Sequence, residues 1–471
     1  MKLDTLQREL RGELLTPASP GYDAARHIWN SMIDRRPAAI ARCTCVEDVI
    51  AAVRFAAREG LYPAIRGGGH NAAGLAMVDD DLVIDVSPMK RITVDPVARI
   101  AVAEAGLTWG EFDAATQVHG LATTGGLIST TGIAGLTLGG GVGWLMGRCG
   151  LTCDNTLAYD VVSADGELMT ASADQHRDLF WALKGGGGNF GVVTSITYRL
   201  HPVSTVISGM VLHPLARARE ALRFYRDFVT AGLPDELIVY AAAMTGPDGT
   251  PLLAFIPAYT GADLDEGERV LAPLRAFGPP VADMVQRMPY VAMQTMIDAA
   301  CPYGALRSYW KSNFLSALPD DAIDVFVQYA ERCPSPRTFA ILEHSHGAVA
   351  RAPADSTAFP TRQHAFDLVI LSLWDDAATD STQTTWTRAF YMAMQPWSSS
   401  LVYVNALSVD DGERVVEAYG PHYRRLAEVK AKYDPDNRFR RNQNILPARS
   451  SVEPSLGRSL EQEMRTGGAP A

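Results

Sequence analysis

The sequence is poor in cysteine, in clustered basic residues and in long apolar runs, and each scarcity excludes a class of protein. Six cysteines in 471 residues are too few for a disulfide framework, and no Cys-x-x-Cys pair indicates zinc or redox exchange. No apolar window approaches the roughly 18 residues of a membrane helix, and the first residues do not resemble a secretory signal. A net charge of -11 disfavours nucleic acid and anionic membranes as partners. We therefore expect a cytoplasmic protein without nucleic-acid or membrane partners, and the sequence gives no indication of oligomeric state.

The length of the chain and a change in glycine content near Ser204 indicate two folding units. A chain of 471 residues exceeds the size of a usual single core. Glycine is dense before Ser204 and thins out after it. We predict a first domain at 1–204, a second at 205–401, a C-terminal segment at 402–448 and a disordered polar tail at 449–471.

Hydrophobic patterning predicts an α+β fold. A helical pattern after residue 45 leads to a short strand at 62–66, three glycines and a second strand at 82–86. In the second domain, helical segments such as 221–230 alternate with strand-like runs such as 252–256 and 366–371. A sheet covered by helices is the simplest interpretation of that alternation.

The glycine run ending in a histidine is the first feature that indicates chemistry. Free backbone N–H groups at Gly67, Gly68 and Gly69, with Arg66 beside them, can cradle a pyrophosphate, although an ordinary tight turn explains them equally well. The run is neither a dinucleotide fingerprint nor a P-loop. His70 follows directly, and a neutral imidazole is a good nucleophile, although a loop histidine is the alternative.

Four ordered motifs resemble the berberine bridge enzyme-like branch of the FAD-linked oxidases, within the vanillyl-alcohol-oxidase-like superfamily. They lie at residues 66–71, 132–141, 178–191 and 433–439 and together span nearly the whole chain. The resemblance implies a PCMH-type FAD-binding domain of two subdomains and a substrate domain with an antiparallel sheet covered by helices. It also implies FAD as the cofactor and a C-terminal segment that returns to the FAD domain.

The same resemblance implies that the flavin is bonded to the protein at two points. The family's histidine, here His70, is bonded to the methyl carbon on the benzenoid ring of the flavin. Many members add a thioether from a cysteine, whose place Cys153 occupies here; Cys149 is a competitor that we interpret as structural. Two bonds favour reduced flavin and let the site stay open, which suits bulky substrates.

The cofactor contacts that the resemblance implies extend over the whole chain. Amide side chains near the C-terminus can hydrogen-bond the pyrimidine edge of a flavin. The predicted FAD contacts are Arg66, Gly67, Gly68, Gly69, His70, Asn71, Gly74, Leu127, Thr131, Gly132, Gly135, Gly139, Gly140, Cys153, Val193, Tyr403, Asn405, Asn442 and Asn444.

The sequence lacks the family's usual base, since Ala406 stands where many members carry the tyrosine that deprotonates an alcohol. Tyr403, Glu343 and His344 are the candidate catalytic residues in its place. His344 and His346 also permit a metal interpretation, but no further ligands stand at matching spacing, so we predict no metal. Residues 309–311 are candidates for the wall of a pocket.

These observations predict an FAD-dependent oxidase with a bicovalent flavin. A bulky alcohol, glycoside or natural-product intermediate would lose a hydride to flavin N5, and O2 would be reduced to H2O2. An oxidative cyclase or dehydrogenating tailoring enzyme of secondary metabolism, acting at a C–H, N–H or phenolic centre, is the alternative. A flavin- or metal-binding protein without turnover, or a metalloenzyme, is the hypothesis from a different class.

Overall fold

A computed structural model describes residues 3–448, so the predicted tail at 449–471 lies outside the described residues. A first sheet is four-stranded, in the order β1-β2-β4-β3, with β2, β4 and β3 parallel. The N-terminal elements are α1 (Leu3–Glu9), β1 (Glu13–Leu15), α2 (Tyr22–Arg26), β2 (Ala39–Arg42), α3 (Val46–Glu59), β3 (Ala64–Arg66) and β4 (Leu82–Asp85). Helix α3 ends at Gly60, whose positive φ of 69° suits a glycine cap.

A second sheet is five-stranded and antiparallel, in the order β5-β6-β10-β8-β9. Its region contains β5 (Ile92–Asp95), β6 (Ile100–Glu104), α4 (Trp109–Gln117), β7 (Leu121–Ala122), α5 (Ile133–Leu138), α6 (Met146–Cys149), β8 (Thr156–Val162), β9 (Leu168–Ser172), α7 (Arg177–Leu183), β10 (Val192–Arg199) and β11 (His201–Pro202). A capping box between Thr108 and Glu111 starts α4, because each side chain meets the backbone N–H of the other. The glycine-rich loops of the sequence lie between these elements.

The third sheet is nine-stranded and antiparallel; its main path runs β16-β13-β15-β14-β19-β20-β18, and β12 and β17 add to one side. The elements are β12 (Thr205–Ser208), β13 (Val211–Pro214), α8 (Ala218–Thr230), β14 (Leu237–Thr245), β15 (Pro251–Tyr259), α9 (Leu264–Ala276), β16 (Ala282–Asp283), β17 (Gln286–Pro289), α10 (Tyr290–Gln294), β18 (Arg307–Leu315), α11 (Asp320–Ala330), β19 (Phe339–His344), α12 (Ala348–Arg351), β20 (Phe366–Trp374) and α13 (Asp380–Met394). The predicted α+β class, with an antiparallel sheet covered by helices, is confirmed.

The two faces of the large sheet have different partners, as the alternation of side chains along a strand requires. On β20, Phe366, Leu368 and Ile370 pack in a core with residues of α8, α9, α11 and α13. Val369 and Leu371 point to the opposite face, where they border a cavity shared with the two smaller sheets. The sheet therefore has one face in a core and one face on the cavity.

After α13 the chain passes back to the two smaller sheets through α14 (Val415–Tyr419) and α15 (Tyr423–Tyr433). Residues such as Leu426, Tyr433 and Phe439 lie in the same buried cluster as residues of α3, α7 and β10. A buried Lys430 anchors this return: its Nζ lies 2.6 Å from Asp434 Oδ2 and 2.6 Å from the carbonyl oxygen of Asn189. No helix among residues 3–448 is long and apolar enough to cross a membrane.

Candidate active site

One large cavity lies where the three sheets meet the C-terminal segment. It holds about 1920 Å³ of space free of protein atoms, its mouth included. Its walls come from seven parts of the chain: residues 65–76, Val86, and residues 126–142, 187–193, 297–310, 341–371 and 403–443. The cavity thus exists only when the whole chain is folded.

Two glycine loops meet backbone to backbone in one wall. A Cβ placed on Gly68 would collide with the amide nitrogen of Gly132, and a Cβ on Gly132 would collide with that of Gly68. Gly69 completes the turn with a φ of 66°, a conformation that favours glycine. The close approach explains why both loops need glycine, and it leaves their backbone bordering the cavity.

His70 lies in this wall as a neutral imidazole. Its Nε2 is 2.9 Å from Thr130 Oγ1, and its ring stacks on the indole of Trp29. Burial lowers the pKa of His70 to about 3, because a charged ring would lose its hydration. The two ring nitrogens lie near threonine hydroxyls, Nε2 beside Thr130 and Nδ1 3.5 Å from Thr131 Oγ1, and the neutral ring keeps one of them unprotonated, as a nucleophilic histidine requires. Trp29 is a neighbour that the sequence did not reveal.

Most predicted FAD contacts line the cavity, and five do not. Those that line it are Gly67, Gly68, Gly69, His70, Asn71, Leu127, Thr131, Gly132, Gly135, Gly139, Val193, Tyr403, Asn405 and Asn442. Those that do not are Arg66, Gly74, Gly140, Cys153 and Asn444.

Arg66 does not line the cavity, because its guanidinium has other partners. It donates to the backbone carbonyl oxygens of Ala25 and His27, and it lies 3.8 Å from Asp85 Oδ2. The cation that borders the cavity is instead Arg441, in the C-terminal segment. The glycine loop therefore contributes backbone groups without the adjacent arginine.

Cys153 is not brought to the cavity that contains His70. It lies in a 3-10 turn at Thr152–Asn155, its backbone N–H donates to the Gly140 carbonyl oxygen at 2.8 Å, and its side chain is fully buried. Burial and the nearby Asp154 raise the pKa of its thiol to about 12, so the nucleophilic thiolate is disfavoured. Cys149 does not line the cavity either. The geometry does not support a flavin held at two points by His70 and Cys153.

The C-terminal segment presents unpaired amide groups at the cavity. Asn442 Nδ2 donates to the Gly188 carbonyl oxygen at 3.1 Å, which leaves Asn442 Oδ1 buried without a partner. Gln443 Nε2 is also buried without a partner, and both residues line the cavity. Buried polar atoms without partners are rare in native proteins and indicate a bound group. A flavin, with donors and acceptors on its pyrimidine edge, fits these amides, the glycine walls and His70.

Tyr403 and Asn405 hold a glycine loop of the cavity in place. Asn405 lies in a 3-10 turn at Val404–Ala406, and Tyr403 directly precedes it. The Gly141 N–H and Asn405 Nδ2 both donate to the Tyr403 hydroxyl, at 3.2 and 3.0 Å, and burial raises the pKa of that hydroxyl above its usual value. Tyr403 is therefore a hydrogen-bonded neutral phenol.

Glu343 and His344, the two candidate bases on β19, point to opposite faces of the sheet, because neighbouring residues of a strand alternate. Glu343 lines the cavity, and His344 does not. His344 stacks on His346 with ring centroids 5.1 Å apart, and it contacts Phe366 of the helix-covered core. Among residues 3–448, no group of three or more His, Cys, Asp or Glu side chains is arranged to hold a metal ion. Glu343 is the candidate base that the cavity retains.

The part of the wall formed by the large sheet is otherwise apolar. Trp310, Ile341, Val369 and Leu371 contribute side chains to it. The neighbours of Trp310 in sequence point away: the Tyr309 hydroxyl is 2.7 Å from Asp410 Oδ2, and Lys311 Nζ is 2.5 Å from Asp411 Oδ1. Of the three residues expected in a pocket wall, only Trp310 is there.

Profiles of known families match an N-terminal part and the C-terminal segment of the chain. A profile for an FAD binding domain matches residues 37–172, and a profile for berberine and berberine-like proteins matches residues 402–446. The first match covers the two glycine loops and His70, and the second covers Tyr403, Asn405 and the amide-rich segment.

Full-length relatives agree with these matches. An FAD-linked oxidoreductase of Dictyostelium discoideum is 31% identical, over 89% of this chain and 91% of its own length. The (R)-6-hydroxynicotine oxidase of Paenarthrobacter nicotinovorans is 30% identical, over 93% and 97%. The crystal structure of 6-hydroxy-D-nicotine oxidase from Arthrobacter nicotinovorans superposes with a TM-score of 0.85 at 28% identity, covering 93% of this chain and 98% of that one. BBE-like 1 of Physcomitrella patens has the same fold, with a TM-score of 0.86 at 22% identity over 95% and 100%.

Proposed function

The chain belongs to the FAD-linked oxidoreductases with a berberine-like C-terminal segment, and we propose that it is an oxidase whose FAD is bonded through His70 alone. The observation that carries this proposal is the position of His70 as a neutral, stacked imidazole in the cavity wall, whereas Cys153 is fully buried and does not line the cavity. The cytoplasmic location expected from the sequence stays a prediction.

The residues of the cavity supply binding and orientation. The backbone around Gly68 and Gly132 would pack against the cofactor's phosphates, with Arg441 as the nearby cation. Asn442 and Gln443 would hydrogen-bond the pyrimidine edge. When bound, the flavin supplies a two-electron acceptor that takes hydride from substrate and is reoxidised by O2 to give H2O2.

Glu343 accepts the proton that the substrate must lose. It is the only carboxyl side chain lining the cavity within the described part of the chain. Burial raises its pKa to about 8, near the range in which a general base is most effective at neutral pH. Tyr403 does not take this role, because its hydroxyl accepts two hydrogen bonds and its pKa is raised. Its hydroxyl instead accepts a hydrogen bond from the Gly141 N–H and holds that loop in position.

The alternative of an oxidative cyclase or dehydrogenating tailoring enzyme rests on Ala406, which lines the cavity and cannot act as a base. Both alternatives consume O2 and share the flavin site. They differ in product, since a cyclase closes a ring at the oxidised centre. Mass spectrometry of the product decides between them for any substrate that turns over.

The experiment that tests the function is denaturation of the purified protein in acid. We expect a yellow pellet that fluoresces on a denaturing gel, together with H2O2 release when a substrate is oxidised in air. A colourless pellet would overturn covalent attachment. Colourless protein containing one equivalent of metal would instead favour a metalloenzyme.

A further inference from the structure

Two carboxyl groups lie side by side behind the wall of the cavity. Glu343 on β19 and Asp367 on β20 are paired in register, and both point to the cavity face of the sheet. Glu343 borders the large cavity and also a small chamber behind it, whereas Asp367 borders only the small chamber. Both are buried, with 6% and 3% of their surface exposed.

No cation of the described chain compensates this pair. No hydrogen bond or ion pair among residues 3–448 reaches Glu343, and both oxygens of Asp367 are buried without a partner. Arg362, whose charge acts on the neighbouring His364, is hydrogen-bonded to Asp154 at 2.7 and 2.8 Å and to Thr357. Such a pair is stable only if it is protonated or if a cation arrives from outside.

The other titratable groups near the pair supply no positive charge to it. Tyr240 on β14 stands opposite Glu343 in register, and its hydroxyl is buried without a partner. His364 lines the small chamber, and burial lowers its pKa to about 3, so it is neutral. Tyr403 is raised in pKa and hydrogen-bonded elsewhere. Burial raises the pKa of Glu343 to about 8, and burial together with Glu343 raises that of Asp367.

The side chains around Glu343 indicate the polarity of the rest of the ligand. Trp310, Ile341, Val369 and Leu371 cover the same face with apolar surface. A sugar would need several hydrogen-bond partners there, because each buried hydroxyl without one costs roughly 1–3 kcal/mol. A compact apolar molecule with a single polar centre would leave no hydroxyl without a hydrogen-bond partner on that wall.

We propose that the substrate is an apolar ring-containing amine, bound as its ammonium ion against the carboxylate of Glu343. This inference rests on the proposed oxidase function and names its substrate class. One ammonium N–H bond breaks and one carboxyl O–H bond forms, so the products are a neutral amine and a protonated Glu343. The neutral amine has the lone pair that loss of hydride from the adjacent carbon requires. Asp367 acts through Glu343 and is a positioning residue.

A permanently charged probe tests the cation site without turnover. Phenyltrimethylammonium can lose neither a proton nor a hydride from an amine carbon, and tert-butylbenzene is its uncharged isostere. We expect calorimetric titration of the holoenzyme at pH 8.5 to show the cation binding about tenfold tighter or more. Equal binding of the two probes in the wild-type protein would overturn the proposal.

Variants assign the preference to a residue. Glu343→Gln keeps the shape and removes the charge, so the preference for the cation should vanish. Glu413→Gln makes the same change at an exposed site outside the cavity and should leave it intact. A preference that survives Glu343→Gln in folded protein would also overturn the proposal. Flavin content distinguishes the amine proposal from the oxidase proposal. A preference for the cation in protein without attached flavin would support the cation site but not the oxidase function. Attached flavin together with equal binding of the two probes would overturn the amine proposal alone.

Discussion

The indole of Trp29 stacks on the imidazole of His70, with ring centroids 4.9 Å apart and 27° between the ring planes. The Trp29 backbone N–H also donates to the Gly69 carbonyl oxygen at 3.0 Å, and Trp310 packs edge-on against the same indole at 5.4 Å. The imidazole is therefore held in one orientation before any cofactor arrives. Such orientation is what a bond-forming nucleophile needs, because misplacement costs rate steeply.

His70→Ala is expected to abolish covalent flavin, because His70 is the only histidine, and no cysteine stands, among the described residues that line the cavity. In-gel fluorescence of the denatured protein measures the attached flavin. Cys153→Ala is the matched control and should retain full fluorescence, since its thiol is buried and does not line the cavity. Fluorescence that persists in His70→Ala and is lost only in the double variant would restore the two-point attachment.

Gly68→Ala is expected to lower both flavin content and thermal stability. The new methyl group would collide with the Gly132 backbone, and overpacking of this kind costs about 1–3 kcal/mol. Gly412→Ala, where nothing lies within contact distance, is the control and should behave as wild type. Absorbance at the flavin band and a thermal melt measure the two effects. A normal flavin content in Gly68→Ala would show that the loops can separate without loss of the site.

Lys430→Met is expected to destabilise the protein by about 3–5 kcal/mol, because it leaves Asp434 buried and unpaired. The C-terminal segment should detach first, so flavin should be lost at a lower temperature than the rest unfolds. Lys432→Met breaks an exposed pair with Asp178 and should cost about 1 kcal/mol or less. Flavin release and circular dichroism recorded in one thermal scan would show the difference. Identical curves for the two variants would contradict this role of Lys430.

Asp367→Asn is expected to move the pH dependence of cation binding to lower pH. In the wild type, Glu343 gains its charge as pH rises through about 8, so phenyltrimethylammonium should bind more tightly from pH 6 to pH 9. The charge of Glu343 is one of the causes that raise the pKa of Asp367, so the two carboxyls titrate as a pair, and Glu343 should ionise at lower pH once Asp367 is replaced by a neutral side chain. Titrations at several pH values measure the midpoint. A midpoint that is unchanged in Asp367→Asn would show that the two carboxyls do not interact.

Patterns that are local in sequence predicted much of the fold. The strand at 64–66, the glycine loop and the strand at 82–85 follow one another within a short stretch, and the structure has them in that order. The family resemblance extended this to the C-terminal segment and to the cavity position of His70. Tyr403 and Asn405 line the cavity, and Asn405 lies in a 3-10 turn at Val404–Ala406.

The errors have physical causes in long-range packing. The partners of Arg66 are carbonyls about forty positions earlier, which no local pattern reveals. Cys153 was assigned by analogy of position, and only the packing of its turn shows that the thiol is enclosed. His344 could have been excluded from the sequence, because Glu343 and His344 are adjacent in a strand and cannot face one cavity. Asp367 was missed because strand register is not readable from one sequence.

The meeting of the first glycine loop with the last residues described has a consequence for biosynthesis. Residues 441–443 border the same cavity as His70, so the pocket cannot form until synthesis has passed residue 443. Cofactor capture is then a late, post-translational event, and formation of the bond at His70 follows it. A chain that stops before residue 441 would contain Trp29 and His70 but would lack Asn442 and Gln443, which border the cavity.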